Sequence, residues 1–353
     1  PGRGHGSPTM VGTQVFLATA DEQKETQSVL CFDRATGERL WERKVHQGPL
    51  NPKNKKASQA SCSIACDGEF LFVGFLNDGA VYATALTRDG NIVWQRKVTD
   101  YVVHQGYGSS PAVYGPLVIV SADTKGRSGG AIVAFDRKTG EEVWRQTRPA
   151  TPNYPSPSIL TASGRDQLLM SGCERVSSFD PLTGDKLWEI DGATTECVTT
   201  SVTDGMRMFT SGGYPRNHIS AVATDGSGTV VWENTTRVYV PSMIVRDGYL
   251  FAVADAGVAM CLDCETGKLI WRQRLRGTFT ASPVLVGDRI YATNEEGRTF
   301  VLKLDANRCE IVEENQLGQE VYATPTICDG RIYFRVADYQ DDVRQESLWC
   351  IGK

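Results

Sequence analysis

Residues 134–144 read AFDRKTGEEVW, and the same phrase recurs at Cys31–Trp41, Ser178–Trp188 and Cys261–Trp271. Looser copies, one residue shorter, run from Ala85 to Trp94 and from Ala223 to Trp232. Each copy is a short apolar run, a Thr-Gly or Asp-Gly turn, and a second run closing on Trp. A chain that repeats one supersecondary unit must bury each unit against the next, and this limits it to a solenoid or a closed array.

The surroundings of each copy repeat too. Ser-Pro or an equivalent opens a short strand, an Asp-Gly or similar turn follows, then an alternating strand, a variable loop and the phrase itself. Alternation of Val, Ile, Leu, Phe and Tyr with period two marks half-buried strands, and the turn pairs tolerate positive φ. No stretch carries a helical period. The units span approximately 7–44, 61–97, 110–147, 156–190, 199–234, 241–273, 282–317 and 324–352. In the seventh, Asp305–Cys309 replaces the Thr-Gly turn and Glu313 stands where Trp would be. The eighth stops after its third strand.

Eight units of about 44 residues predict an all-β fold, an eight-bladed β-propeller of four-stranded antiparallel blades forming a single domain over 1–353. An open solenoid would need capping ends with polar outer faces, and neither end reads as a cap. The fourth strand of blade eight is expected from residues before Pro1, and adding them is expected to raise the melting temperature by covering an exposed strand edge.

The fixed Trp has a structural explanation: a large side chain filling the wedge between neighbouring blades. The ten cysteines also map onto the repeat. Cys31, Cys261 and Cys350 share one strand position, and Cys66 and Cys328 share another, as small buried hydrophobes would. The Cys62/Cys66 and Cys261/Cys264 spacings lack the Cys/His partners of a zinc site, so no metal site is predicted.

The net charge of −5 argues against nucleic acid, which selects a basic surface. The longest apolar runs, such as Leu117–Val120, are too short to cross a bilayer as helices. No signal peptide opens the chain at Pro1.

On the Asp-x-x-Thr-Gly-x-x-x-Trp phrase of Asp136–Trp144 and its copies, the chain resembles the quinoprotein-type (PQQ-like) β-propeller repeat family, and the phrase resembles that family's tryptophan-docking motif. The family includes alcohol and glucose dehydrogenases carrying pyrroloquinoline quinone and calcium. It also includes non-enzymatic members, such as the lipoprotein scaffold of the outer-membrane assembly machine. The dehydrogenases share an adjacent Cys-Cys pair and a Glu/Asn/Asp calcium set; this chain has no adjacent cysteines and no match to that set. The resemblance is therefore closer to the scaffold members. No cofactor is predicted, although PQQ and calcium remain the family's possibilities. An extracytoplasmic location, periplasmic or at the cell surface, is implied by the resemblance alone.

Strand alternation puts the turns after strands one and three on one side of the disc and the variable loops after strands two and four on the other. Binding loops are expected among the variable set. Its longest members are 45–60, 99–109, 123–129, 212–218 and 338–346. All four histidines fall on that side, with His46 opening a long inter-blade loop. The candidate ligand-binding residues at the channel mouth are His5, His104, Tyr107, Tyr154, Glu196, Arg216, His218 and Tyr239, with Phe279 and Tyr322 at equivalent positions. Aromatic walls with a few polar groups describe a small-molecule or sugar pocket, and the same residues could equally plug the channel. No catalytic residue is assigned. The chain is read as a monomeric, non-enzymatic scaffold that binds a protein partner or small ligand with its variable-loop face. The alternative is an enzyme at the same mouth, either a carbohydrate-active hydrolase or lyase or a PQQ-dependent dehydrogenase.

Overall fold

The repeated turn closes on its own aspartate. Asp33 Oδ1 accepts the N–H groups of Ala35 (2.9 Å) and Thr36 (2.8 Å) and the Thr36 hydroxyl (3.1 Å). Gly37 N–H donates to the Asp33 carbonyl at 2.9 Å. Asp136 and Asp263 take the corresponding bonds from Thr139 and Thr266. Donors aimed at a carboxylate favour its ionised form, and the turn threonine is the main cause holding all three aspartates below their ordinary range.

The structure is a computed structural model that describes residues 2–352, among which there is no helix. Its strands form eight antiparallel sheets, each ordered as in the sequence, and the fold is all-β, an eight-bladed β-propeller. Blade one is typical, with strands Thr9–Val11, Gln14–Asp21, Thr26–Asp33 and Arg39–Gln47. Seven blades have four strands. Among the described residues blade eight has three, Thr326–Cys328, Arg331–Gln340 and Val343–Gly352, as expected of a unit that stops after its third strand.

By contacts the chain divides into two compact units, Pro1–Pro157 with Leu182–Gly184, and Ser158–Pro181 with Asp185–Lys353. Each has its own core of second- and third-strand side chains. In the first, Phe72, Val81, Val118 and Phe135 pack in one cluster, and Phe16, Val29, Leu71 and Phe75 in another. In the second, Phe209, Leu250 and Leu262 form one cluster and Phe251, Ile290 and Phe300 another.

Within each unit, adjacent blades are joined by two repeated devices. The first is the Trp. Trp41, Trp94, Trp232 and Trp271 each donate their indole N–H to a backbone carbonyl of the following blade, at 2.9–3.1 Å on Arg88, Arg137, Cys264 and Asp305. The rings of Trp41, Trp94, Trp144 and Trp232 lie on the turn glycines Gly90, Gly140, Gly184 and Gly267. A Cβ at Gly140 would sit 2.6 Å from Trp94, and its φ of +71° disfavours any L side chain. Trp188 differs: its N–H donates to Gln167 Oε1 of its own blade at 2.9 Å.

The second device is a hydroxyl just before each first strand. In the first unit, Ser7 N–H donates to Ser63 Oγ, Ser63 N–H to Ser110 Oγ and Ser110 N–H to Ser156 Oγ, all at 2.9 Å. In the second, Thr200, Ser242 and Ser282 donate likewise to Ser242, Ser282 and Thr324 at 2.9–3.0 Å. Amides that strand pairing leaves open thereby gain acceptors from the next blade.

Three local expectations need correction. Residues 338–346 are not a loop but the end of a long hairpin, Arg331–Gln340 with Val343–Gly352. Its two-residue turn is Asp341-Asp342, both at positive φ (49° and 61°), which Asp tolerates better than most residues. His46 lies inside the strand Arg39–Gln47, with its ring 5.2 Å from that of Tyr82. Cys31 and Cys261 are fully buried, but their equivalent Cys350 is exposed, and Cys66 and Cys328 are half-buried. Cys350 lies on the edge strand Val343–Gly352 of a blade that has three strands among the described residues.

Candidate functional site

The expected site residues fall in both units, and their surroundings differ. In the first unit, Tyr107 packs edge-on against Tyr101, ring centroids 5.9 Å apart, and its hydroxyl donates to the Ser121 carbonyl at 3.2 Å. The ring lies over Gly74, where a Cβ would come within 3.0 Å of the hydroxyl. His5 donates its backbone N–H to Ala60 at 3.0 Å. Tyr154 is half-buried between Asn153 and Pro155. Asn153 belongs to a buried ion-pair network, in which Arg148 meets Asp123 at 3.0 Å and Asn153 donates to Asp123 at 2.9 Å. His104 is exposed.

In the second unit, four of the expected residues converge on the connection between the strands Arg207–Gly212 and His218–Ala223. Glu196 is buried, and its backbone N–H donates to Tyr214 O at 3.2 Å. The Tyr239 hydroxyl donates to Glu196 Oε2 at 3.4 Å, and Tyr239 N–H to Asp255 Oδ2 at 2.8 Å. Arg216 is exposed and donates from Nη2 to the Ala193 carbonyl at 3.3 Å. His218 opens its strand opposite Gly212 and is fully buried.

Environment sets the chemistry of these groups. Burial, with a smaller contribution from Arg216, pushes the His218 pKa down to about 4, so the imidazole is neutral near pH 7. Neither of its ring nitrogens has a hydrogen-bond partner among the described residues. Burial, and then the Glu196 carboxylate, push the Tyr239 phenol well above its ordinary value; burial does the same to Tyr107. Both phenols are protonated donors near neutrality and unsuited to act as bases.

Sequence reasoning missed the residues that complete this cluster. Arg237 stacks over Tyr239, its guanidinium carbon 5.0 Å from the ring centroid. Its Nη1 donates to Gly213 O at 2.8 Å and to Asn217 Oδ1 at 3.4 Å. Gly213 permits this approach, since a Cβ there would lie 2.7 Å from Tyr239 Cβ and 2.8 Å from Arg237 Nη1. Tyr214, beside it, is 55% exposed. The Gly212-Gly213 pair was the one sequence signal available, because adjacent glycines mark close backbone approaches.

Phe279, at an equivalent position in the repeat, is buried against Phe300 at 6.1 Å rather than open to a ligand. Among the described residues no group of three or more His, Cys, Asp or Glu is arranged to hold a metal ion. No helix of the described residues is long and apolar enough to cross a membrane.

A family model described as outer membrane protein assembly factor BamB matches residues 25–213 and 215–312, most of the chain. The chain belongs to this family. An outer membrane protein assembly factor BamB of Burkholderia pseudomallei (strain K96243) is 26% identical over 321 residues, 86% of this chain and 74% of that protein. The crystal structure of BamB from Moraxella catarrhalis superposes with a TM-score of 0.66 at 16% identity, covering 93% of this chain and 90% of the other. A europium-containing methanol dehydrogenase superposes with a TM-score of 0.69 at 12% identity, covering 96% and 83%. Structural likeness at such identities shows the shared fold alone.

Proposed function

We propose that this chain is a non-enzymatic, extracytoplasmic scaffold that holds a partner protein with its variable-loop face. Membership in the BamB family supports a role in protein assembly. One observation carries the reading to this face. Two of the phenols expected to line a pocket donate hydrogen bonds within the fold, Tyr107 to Ser121 O and Tyr239 to Glu196, whereas residues 213–217 present Tyr214 and Arg216 to solvent on a braced support. Exposed Tyr and Arg on a rigid loop are what protein interfaces favour, because they contribute contact area with little ordering cost.

The test is quantitative co-purification from native cells. Tyr214→Ala with Asn217→Ala alters the loop face, and Lys138→Ala with Glu265→Ala alters the opposite turn face. A protein lost from the first variant and retained by the second supports the scaffold. A partner lost only from the second variant places the interface on the other face. Steady turnover of a sugar or of an alcohol by the purified chain would replace the scaffold with an enzyme.

A further inference from the structure

The chain carries five more acidic than basic side chains, and many of its arginines sit against carboxylates. Arg137 pairs with Asp67, Arg148 with Asp123, Arg175 with Glu189, Arg207 with Asp204, Arg298 with Glu314 and Arg335 with Glu346. Arg216 and Arg237 pair with no carboxylate among the described residues. Both are exposed, and they belong to one small surface: Arg216 lies within residues 213–217, and Arg237 is bonded to Gly213 and Asn217 at the two ends of that segment.

These two cations are held rather than free. Arg237 is fixed by two acceptors on Nη1 and by the Tyr239 ring beneath it. Arg216 is tied through Nη2 to Ala193. The Nε–Nη2 edge of Arg237 and the Nε and Nη1 groups of Arg216 bond to nothing else among the described residues. A guanidinium edge with Nε–H and Nη2–H parallel matches a carboxylate in bidentate fashion. Fixing it in advance removes part of the ordering cost of binding. The buried histidine behind this surface is neutral near pH 7 and adds no competing charge.

We infer that the surface formed by Tyr214, Arg216 and Arg237 receives an acidic extended segment of a protein partner, each guanidinium taking one carboxylate while Tyr214 covers the apolar backbone between them. This names the partner chemistry of the proposed scaffold face and rests on that reading.

The test is fluorescence anisotropy with a labelled decapeptide rich in Asp and Ser, against a Lys-for-Asp control of the same length, both with the intact chain. The acidic peptide binds at low ionic strength, and its affinity falls at least about tenfold between 50 and 200 mM salt, as surface charge pairs are screened. Arg216→Gln and Arg237→Gln each weaken it at least about fivefold, Arg237→Lys weakens it less than Arg237→Gln, and Arg272→Gln on an exposed outer strand leaves it unchanged. Thermal melts within about 2 °C of wild type show that the variants are folded. Equal binding of the lysine peptide, or unchanged affinity in both glutamine variants, overturns the assignment. A partner that still co-purifies with the double glutamine variant at wild-type yield also overturns it, while leaving the scaffold reading intact.

Discussion

The Arg237 guanidinium lies 5.0 Å from the centroid of the Tyr239 ring, and Gly213 is the residue that lets it lie there. A methyl group on residue 213 would meet Tyr239 Cβ, which the backbone holds, as well as Arg237 Nη1, which can swing away. Gly213→Ala is therefore expected to displace the arginine and to lower partner and acidic-peptide affinity at least about fivefold. Its stability cost is about 1–2 kcal/mol, the range of overpacking. Wild-type affinity in a folded Gly213→Ala protein would show that the stacked arginine is not part of the interface.

The turn glycines give a sharper contrast. Gly140 and Gly68 both have positive φ, +71° and +96°, but only Gly140 faces a ring, with Trp94 atoms 2.6 Å from its missing Cβ. Gly68→Ala meets nothing within 4 Å and should cost about 1 kcal/mol, for backbone strain alone. Gly140→Ala should cost at least about 2 kcal/mol more, through the displaced indole and its hydrogen bond to Arg137. Urea unfolding of the two variants measures the difference, and equal destabilisation would contradict the wedge account.

Ser110 accepts the Ser63 amide at 2.9 Å. Ser110→Ala leaves a half-buried N–H without its acceptor and is expected to cost about 1–2 kcal/mol. Ser110→Thr keeps the acceptor, as Thr324 does for Ser282, and should recover most of the loss. A neutral alanine variant in denaturant titration would remove the hydroxyl series from the list of stabilising devices.

Acid should destabilise the protein in two windows. Burial holds the folded pKa values of His46 and His218 at about 4, below the unfolded value near 6.5. The unfolded chain thus takes up protons first, and stability falls as pH drops from about 6.5 to about 4. The loss is on the order of 3 kcal/mol for each fully shifted histidine. The lowered pKa values of Asp33, Asp136 and Asp263 act below this window, because their stabilisation is present above the unfolded carboxylate value and disappears beneath it. His218→Gln should flatten part of the first slope and leave the second. Wild-type stability that is flat between pH 6.5 and 4.5 would contradict the burial of both rings.

Thiol labelling tests the exposed edge of blade eight. Cys350 is exposed, whereas Cys31 and Cys261 at the equivalent position are fully buried, with thiol pKa values raised to about 11 and about 12. A maleimide should modify Cys350 within minutes at pH 7.5, and Cys31 and Cys261 only on unfolding. Protection of Cys350 equal to that of Cys31 would mean that a strand covers it.

The blades were legible because their signals are local and repeated. Asp33, Asp136 and Asp263 each accept N–H groups from the second, third and fourth residues after them, so a short phrase such as DRKTG encodes its own turn wherever it occurs. Misreadings arose where partners decide the outcome. Asp338–Glu346 looks like a polar loop, yet Arg335 is paired with Glu346 and Arg344 with Glu320, and these bonds sustain a strand that composition disfavours. His104 and His218 are equivalent as letters, but one is exposed and the other fully buried. Arg237 could not be found at all, because its role depends on Gly213 and Asn217, about twenty residues earlier, folding back against it.

The most direct test of the scaffold is photo-crosslinking in native cells, with benzoylphenylalanine placed either at Tyr214 on the loop face or at Lys138 on the turn face. The account predicts a discrete crosslink to one protein from position 214, none from position 138, and loss of the first when Arg216 and Arg237 are both glutamine. A crosslink from position 138 with none from position 214 would contradict it.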